Sequence, residues 1–403
     1  MTRRTPFDPR LVALGLLTGA AVGVWAGRRA QSWTARPAKP GLIDWDRARA
    51  IAVNMNREAA LTATERIRLD AEYTALVDRT IPLVSRFTGL TLPAERPEIY
   101  AFDRVDWINA NIDAFRRMFM PIERLKLNEQ AANPNVVSVL WSGVNQSVIS
   151  AELGILLGYL ARRVLGQYDL ALLGREPIET TGKLYFVQPN IVNIERALGL
   201  PSEEFRLWLA LHETTHAFEF EAVPWLRAYM NAMIEEYFGF ITQDIDYLRR
   251  GMDGIKVFVE RARGSGGDNT SWIELIMTPE QRRLFSRMQA TMSIVEGYSN
   301  YVMNGVGREL MPEYTTIRTR FESRQQQRSP AEKLFIRLTG LDLKMEQYRL
   351  GEAFIDHVVR HKGHGFASRV WDSPEALPTM AELRKPDEWI ARMIAPVVET
   401  PRP

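Results

Sequence analysis

The sequence contains no cysteine among its 403 residues. This absence excludes disulfide bonds, thiolate nucleophiles, iron–sulfur clusters and zinc sites built from cysteine, although it does not fix the cellular compartment. Histidine is also scarce, with five residues in the whole chain. Any bound metal ion would therefore be held by a few histidines together with aspartate or glutamate.

The chain has no marked excess of charge of either sign. Its 51 lysines and arginines nearly balance 49 acidic residues, so the formal net charge is +2. Basic residues occur in short doublets such as Arg249-Arg250. This pattern predicts no nucleic-acid partner, because nucleic-acid-binding proteins carry clustered basic residues. Hydrophobic residues make up 46%, which is typical of a chain that buries a substantial core.

An uncharged segment at 11–27 follows three arginines near the N-terminus and is closed by Arg28 and Arg29. Its 17 residues are at the short limit for a membrane span, which needs about 20. We interpret residues 1–40 as a hydrophobic anchor and linker, which predicts a membrane-associated protein. The alternatives are a cleaved secretory signal or a helix that docks onto the domain, with a secreted or cytoplasmic location.

The apolar pattern from residue 42 onward is that of successive helices. Thr62 or Thr64 begins one of them, and Thr278 precedes another as the N-cap that starts a capping box. Pro121 is predicted to stop one helix, because proline removes a backbone donor. The most apolar stretch, 136–165, is predicted to form a helix buried in the protein.

One segment, 183–187, has the composition of a β-strand. The sequence therefore predicts a mainly α protein with at most a minor β element. We expect a single domain over residues 41–403. Its N-terminal helical half would span 41–200, and the half that carries the metal site would span 201–403.

The sequence His212-Glu213-Thr-Thr-His216 has the form H-E-x-x-H. Two histidines four residues apart project from one face of a helix and can reach the same ion. Glu213 lies beside them, close enough to take a proton from a metal-bound water. Ser202, as the N-cap, is predicted to begin this helix. The alternative is that these are two ordinary histidines near a helix surface.

Catalytic zinc sites hold three protein ligands and leave one position for water. Glu296 is the best candidate for the third, because it lies on an apolar face of the helix that follows Thr278. It could instead be satisfied by an arginine or a backbone amide. His357, His361 and His364 are the other option, but their cluster is better explained by the preference for cations at a helix C-terminus than by a metal site.

The H-E-x-x-H motif with a downstream helical glutamate resembles the gluzincin pattern, in which Glu-x-x-x-Asp supplies the third ligand and an outer carboxylate. Asn300 stands at the second of these positions. More specifically, the chain resembles a bacterial family of zincin-like hydrolases, sometimes labelled as associated with biosynthesis of a deazaflavin coenzyme, over residues 42–363. The segments that carry this resemblance are 164–169, 189–190, 205–216, 222–227 and 295–297. The resemblance implies a mostly helical zincin-like domain and a metallopeptidase, without a known substrate.

The residues together predict a zinc-dependent hydrolase that cleaves a peptide or amide bond. His212, His216 and Glu296 would bind Zn²⁺, which lowers the pKa of its water to ~7. Glu213 would act as the general base and then protonate the leaving nitrogen. The tetrahedral oxyanion requires a further donor. Its candidates are Tyr298, Tyr301, Tyr348, Arg349 and His357.

Two other functions fit the same motif. A zinc amidohydrolase acting on a small amide would share every ligand and differ in the shape of its cleft. A catalytically silent zincin fold could serve as a membrane-tethered interaction or scaffold protein. The intact Glu213 argues against the silent protein, because a purely structural zinc site needs no general base.

Overall fold

The computed structural model describes residues 41–57, 60–93, 96–132, 136–168, 182–249, 277–326 and 342–395. The hydrophobic segment at 11–27, predicted as a membrane anchor, lies outside the described residues. Within the described ranges, no helix combines the length and the apolar character that a membrane span requires.

The described part of the chain is mainly α with a small three-stranded sheet, which confirms the predicted fold class. The helices α1 to α13 are Trp45–Asn54, Ala63–Thr88, Arg104–Ala132, Val136–Leu160, Gln188–Leu198, Ser202–Glu221, Pro224–Arg249, Pro279–Leu310, Tyr314–Gln326, Asp342–Lys362, His364–Ala367, Met380–Arg384 and Pro386–Ile394. The strands β1 to β3 are Glu98–Phe102, Gly166–Tyr168 and Lys183–Val187. Two short 3-10 helices at Ser368–Trp371 and Pro374–Ala376 follow α11.

Of the two candidates for the start of α2, Thr62 is the N-cap, and the predicted N-cap Thr278 of α8 is confirmed. Thr62 and Thr278 each accept a hydrogen bond from the backbone of the third helical residue. The side chains of those residues, Glu65 and Gln281, accept in return from the backbone N–H of the cap. Each capping box satisfies two backbone donors that the first turn of a helix leaves unpaired.

Three predicted helix boundaries are wrong. Helix α3 continues through Pro121 to Ala132, because a proline inside a helix removes one hydrogen bond without always ending it. Helix α4 ends at Leu160, ahead of strand β2. Ser202 is the first residue of α6 and not its N-cap, since its hydroxyl donates to Glu195 Oε2 at 3.1 Å.

The described residues divide into two compact units. Residues before 59 and Ile108–Arg162 belong to the first unit, whereas Ala59–Trp107 and the residues from Arg163 onward belong to the second. In the first unit, a Cβ added at Gly154 would lie 2.6 Å from the carbonyl oxygen of Ala48, so α1 and α4 approach closely there. The prediction of a single domain over 41–403 stays a prediction.

The sheet of the second unit has the strand order β1-β3-β2. Strand β3 pairs parallel with β1 and antiparallel with β2. Tyr73 of α2 stacks on Phe186 of β3, with ring centroids 4.2 Å apart, and this anchors the sheet to the helices. Helix α6 contacts α2, α8 and β2, so it lies between the sheet and the long helix α8.

Helices α8 and α10 meet through their main chains. A Cβ added at Gly351 would lie 1.7 Å from the carbonyl oxygen of Ser293, and one at Gly297 would lie 2.2 Å from the carbonyl carbon of Gly351. Only glycine allows so close an approach. Because Gly297 directly follows Glu296, this crossing determines where that carboxylate lies.

Candidate metal centre

Helix α6 carries the two motif histidines on one face. His216 is buried and His212 is half-buried, one helical turn apart. Their Nε2 atoms lie 3.2 Å from each other. The helix that the motif requires is therefore present, and the spacing of four residues brings the two imidazoles to the same point.

Helix α8 brings Glu296 to the same point. Its Oε2 lies 3.6 Å from Nε2 of His216 and 4.0 Å from Nε2 of His212. Among the described residues, this is the one group of three His, Asp or Glu side chains whose ligand atoms all lie within 4.8 Å of each other. The structure thus brings together the three residues that the sequence predicted as ligands.

The three atoms fit a zinc ion. In a tetrahedral site with bonds of ~2.0–2.1 Å, adjacent ligand atoms lie about 3.3 Å apart. The separations here are 3.2, 3.6 and 4.0 Å, so small side-chain movements would complete the geometry. Two imidazoles and a carboxylate are also the donor set found in hydrolytic zinc enzymes.

The opposite nitrogens of both imidazoles are held by neighbouring side chains. Nδ1 of His216 lies 2.8 Å from Oε2 of Glu219, which is fully buried. Nδ1 of His212 lies 3.1 Å from Oγ of Ser299 and 3.1 Å from Sδ of Met303. In the neutral imidazoles that bind a metal ion, donation from Nδ1 would leave both Nε2 atoms as ligands, and these contacts orient the rings towards the same point.

Glu219 and Ser299 were not predicted, and the outer role for which Asn300 is a candidate stays a prediction. Within the described ranges, the Nδ1 atoms of the two imidazoles contact Glu219, Ser299 and Met303. Helical spacing could have found both residues. Glu219 lies three residues after His216, and Ser299 lies three residues after Glu296, so each shares a face with its ligand.

Glu213 is 4% exposed and faces strand β2. A Cβ added at Gly166 would lie 2.3 Å from Oε1 of Glu213, so a larger residue there would displace this carboxylate. Burial raises the pKa of Glu213 to about 7, although a hydrogen bond from the backbone N–H of Tyr168 acts to lower it. A carboxyl group that titrates near neutral pH suits a general base.

Burial also sets the protonation of the other groups. It lowers the pKa of His212 to about 4, so this imidazole is neutral at pH 7. For His216, burial acts in the same direction, but the carboxylates of Glu219 and Glu296 outweigh it and hold the pKa well above its usual value. Burial raises the pKa of Glu219 to about 7 against the opposing effect of His216. The protons on these groups are therefore held by burial and by one another, and a bound metal ion would displace the proton of His216.

The predicted oxyanion donors lie in different places. Tyr298 is buried, with its hydroxyl 3.5 Å from Oγ of Ser368, and burial raises its pKa to about 12. The half-buried ring of Tyr301 packs near Phe87. Arg349 is exposed. The side chain of Tyr348 lies outside the described residues. The identity of the donor stays a prediction.

The remaining histidines do not provide the third ligand. Nε2 of His357 lies 2.8 Å from Oδ1 of Asp387, and Nδ1 of His361 donates to the carbonyl oxygen of His357 at 2.8 Å. His364 packs edge-on against Phe87. In the described part of the chain, none of the three joins the group of candidate ligands.

The similarities to known proteins extend over most of the chain. Residues 43–390 match the family model of a zincin-like metallopeptidase. None of the curated proteins matches the sequence. The fold is similar to the crystal structure of a candidate hydrolase with a novel fold from Chloroflexus aurantiacus, at 39% sequence identity and a TM-score of 0.63. That similarity covers 87% of this chain and 99% of the other.

Proposed function

The chain belongs to the zincin-like metallopeptidase family, and from this premise we propose that it is a zinc-dependent peptidase. Family membership and the similar hydrolase support hydrolysis and a divalent metal. The observation that carries the proposal is the meeting of His212, His216 and Glu296, with Glu213 on the same helix. A structural zinc site would have no use for a buried glutamate that titrates near pH 7.

The side chains of the candidate metal centre have two roles, metal binding and orientation of the ligands. His212 and His216 would hold zinc through Nε2, and Glu296 would hold it through a carboxylate oxygen. Glu219 and Ser299 keep the imidazoles oriented from the other side. When bound at these three residues, zinc would supply a lowered pKa for its water and polarisation of the substrate carbonyl.

Glu213 moves the proton. It takes the proton from the attacking water and passes it to the nitrogen of the leaving amine. Gly166 permits strand β2 to approach the carboxylate and limits where it can turn. The burial that raises the pKa of Glu213 also makes it a stronger base than an exposed glutamate, so proton transfer at neutral pH is favoured.

Elemental analysis and one substitution test this function. We expect about one zinc per full-length chain, lost or weakened in His216→Ala and Glu296→Ala. Glu213→Gln keeps zinc but lowers turnover of a library of internally quenched peptides roughly 10³-fold, within the usual contribution of a general base. Wild-type protein that takes up no zinc, or a Glu213→Gln variant with unchanged turnover, would contradict the proposal.

A zinc amidohydrolase is the second candidate, because the same groups hydrolyse any amide. Turnover of small amides without turnover of the peptide library would favour it. The silent scaffold is disfavoured by the intact, buried Glu213 beside the candidate ligands, because a purely structural zinc site needs no general base. If zinc binds and Glu213→Gln leaves every biological activity of the protein intact, the scaffold function gains support.

We also propose that residues 11–27 tether the protein to a membrane. The support is the uncharged length of this segment and the arginines on both sides. Replacing Leu16 and Leu17 by arginine in the full chain is expected to move the protein from the membrane fraction to the soluble fraction. An unchanged distribution between the two fractions would contradict the tether.

A further inference from the structure

Strand β2 lies along helix α6 and is held there at two places. At one place, Gly166 contacts the carboxylate of Glu213, and the backbone N–H of Tyr168 hydrogen-bonds to the same carboxylate. At the other, the hydroxyl of Tyr168 donates to Oε1 of Glu221, two turns further along α6. Tyr168 therefore connects the Glu213 carboxylate to a second glutamate of the same helix.

Arg227 at the start of α7 completes the second place of attachment. Its Nη2 lies 2.5 Å from both the hydroxyl of Tyr168 and Oε1 of Glu221. The side chains of Arg227 and Glu221 are 5% and 12% exposed. The backbone N–H of Gly182, just before β3, donates to the same Oε1 at 2.8 Å. Oε1 of Glu221 thus accepts hydrogen bonds from Tyr168, Arg227 and Gly182. These bonds compensate the cost of burying its negative charge.

Packing explains the ring of Tyr168 but not its hydroxyl. The ring is buried and stacks on Phe220 with centroids 5.5 Å apart. A phenylalanine would fill this space equally well. The hydroxyl instead points at a buried ion pair, and its hydrogen bonds fix the position of the strand whose backbone contacts Glu213.

We propose that Glu221 and Arg227 position the general base through Tyr168. Their ion pair holds strand β2 in place, and the strand in turn holds the carboxylate of Glu213 towards the attacking water. The proposal rests on the proposed function, because it concerns the same hydrolytic site. Positioning of this kind matters for rate, since a displacement of about 1 Å can lower turnover ~10²-fold.

Substitutions that keep the packing test this positioning role. Tyr168→Phe removes the hydroxyl alone. Glu221→Ala removes the carboxylate, whereas Glu221→Gln retains an acceptor oxygen for Tyr168 and Gly182. Tyr314→Phe is the matched control, because it deletes another tyrosine hydroxyl hydrogen bond of the same unit, to Oδ1 of Asn304 at 2.6 Å.

Three quantities are measured on the full-length protein: zinc content, kcat and KM on a quenched peptide that the wild type cleaves, and affinity for acetohydroxamate. Acetohydroxamate binds zinc and donates a hydrogen bond to a neighbouring carboxylate, so its affinity reports the placement of Glu213 without turnover. We expect Tyr168→Phe to lower kcat about tenfold and to weaken acetohydroxamate several-fold, with KM and zinc content unchanged. Glu221→Gln is expected to retain more activity than Glu221→Ala.

The outcomes separate this proposal from the proposed function. If Tyr168→Phe lowers only the melting temperature, or affects kcat no more than Tyr314→Phe does, the positioning role is overturned while the hydrolase stands. If the zinc-loaded wild type neither cleaves peptides and amides nor binds acetohydroxamate, the proposed function itself fails, and the positioning role fails with it.

Discussion

Helix α6 contributes to two buried charged clusters that are balanced in different ways. Near its first turns, Arg206 pairs with Glu195 at 2.8 Å and with Glu72 at 2.5 Å, and the side chains of Arg206 and Glu195 are 13% and 7% exposed. Two turns later, the candidate metal centre gathers carboxylates and imidazoles. The first cluster contains a guanidinium that stays charged, whereas the second is a set of metal ligands in which His216 is the cationic partner and can give up its proton.

The protonation behaviour of the two clusters reflects this difference. The guanidinium of Arg206 keeps its proton, because hydrogen bonds to Glu195 and Glu72 raise its pKa although burial opposes them. In the metal centre, burial raises the pKa of Glu213 and of Glu219 to about 7. The carboxylates of the first cluster are balanced by a guanidinium of the protein itself, whereas those of the centre would reach the same balance with a metal ion.

Removing the cation of the first cluster is expected to have the largest effect on stability. Arg206→Met leaves Glu195 buried without its partner, so the free energy of unfolding falls by about 3 kcal/mol, as measured by urea denaturation. Arg79→Met is the control, because Arg79 and its partner Glu203 are both exposed, and a change below about 1 kcal/mol is expected. If both substitutions lowered the free energy of unfolding equally, the buried pair would matter no more for stability than the exposed pair, which would contradict this prediction.

Binding of zinc at the candidate metal centre is expected to have the next largest effect on stability. Zinc at 100 times its Kd raises the free energy of unfolding by about 2.7 kcal/mol, because it binds the folded state alone. His216→Ala abolishes this increment, whereas Arg206→Met leaves it unchanged. Thermal unfolding with and without zinc measures it. An equal increment in His216→Ala would place the bound zinc elsewhere.

The smallest expected effect concerns the metal-free protein and its dependence on pH. The pKa of Glu213 is about 7 in the folded protein against 4.5 for an exposed glutamate, so the unfolded chain loses this proton first as pH rises. Glu213 therefore destabilises the fold increasingly between pH 4.5 and 7. We expect Glu213→Gln to be more stable than the wild type by about 2 kcal/mol at pH 7 and nearly equal to it below pH 4.5.

Glu195→Gln provides the opposite case. It removes the partner of a buried arginine, so stability at pH 7 falls instead of rising. Both variants are compared with the wild type by urea denaturation in the presence of a chelator. If both substitutions change stability in the same direction, the two clusters do not differ in the way described above.

The sequence predicts what local spacing determines. The pair His212 and His216, the capping boxes of α2 and α8 and the apolar face that carries Glu296 all follow from helical periodicity. Strand β3 was found because it is a continuous apolar run. Strand β2 was not predicted, since its three residues are too few to show an alternating pattern. It forms because it pairs with β3.

The parts of the site that were missed depend on contacts between distant segments. Tyr168, Glu221 and Arg227 belong to three different elements, and no spacing in the sequence relates them. Ser299 was missed for another reason. The gluzincin spacing pointed to the residue four positions after Glu296, whereas the residue three positions after it reaches His212.

The crossing of α8 and α10 bears on how relatives of this protein are judged. A Cβ at Gly297 or Gly351 would meet backbone atoms of the facing helix, and backbone cannot move aside as a side chain can. A larger residue at either position would therefore separate the helices and move Glu296. Selection for a working metal centre would therefore retain both glycines, and loss of that selection would release them. In an alignment of the family, glycine at both positions would distinguish members that retain a working metal centre from members that retain only the fold.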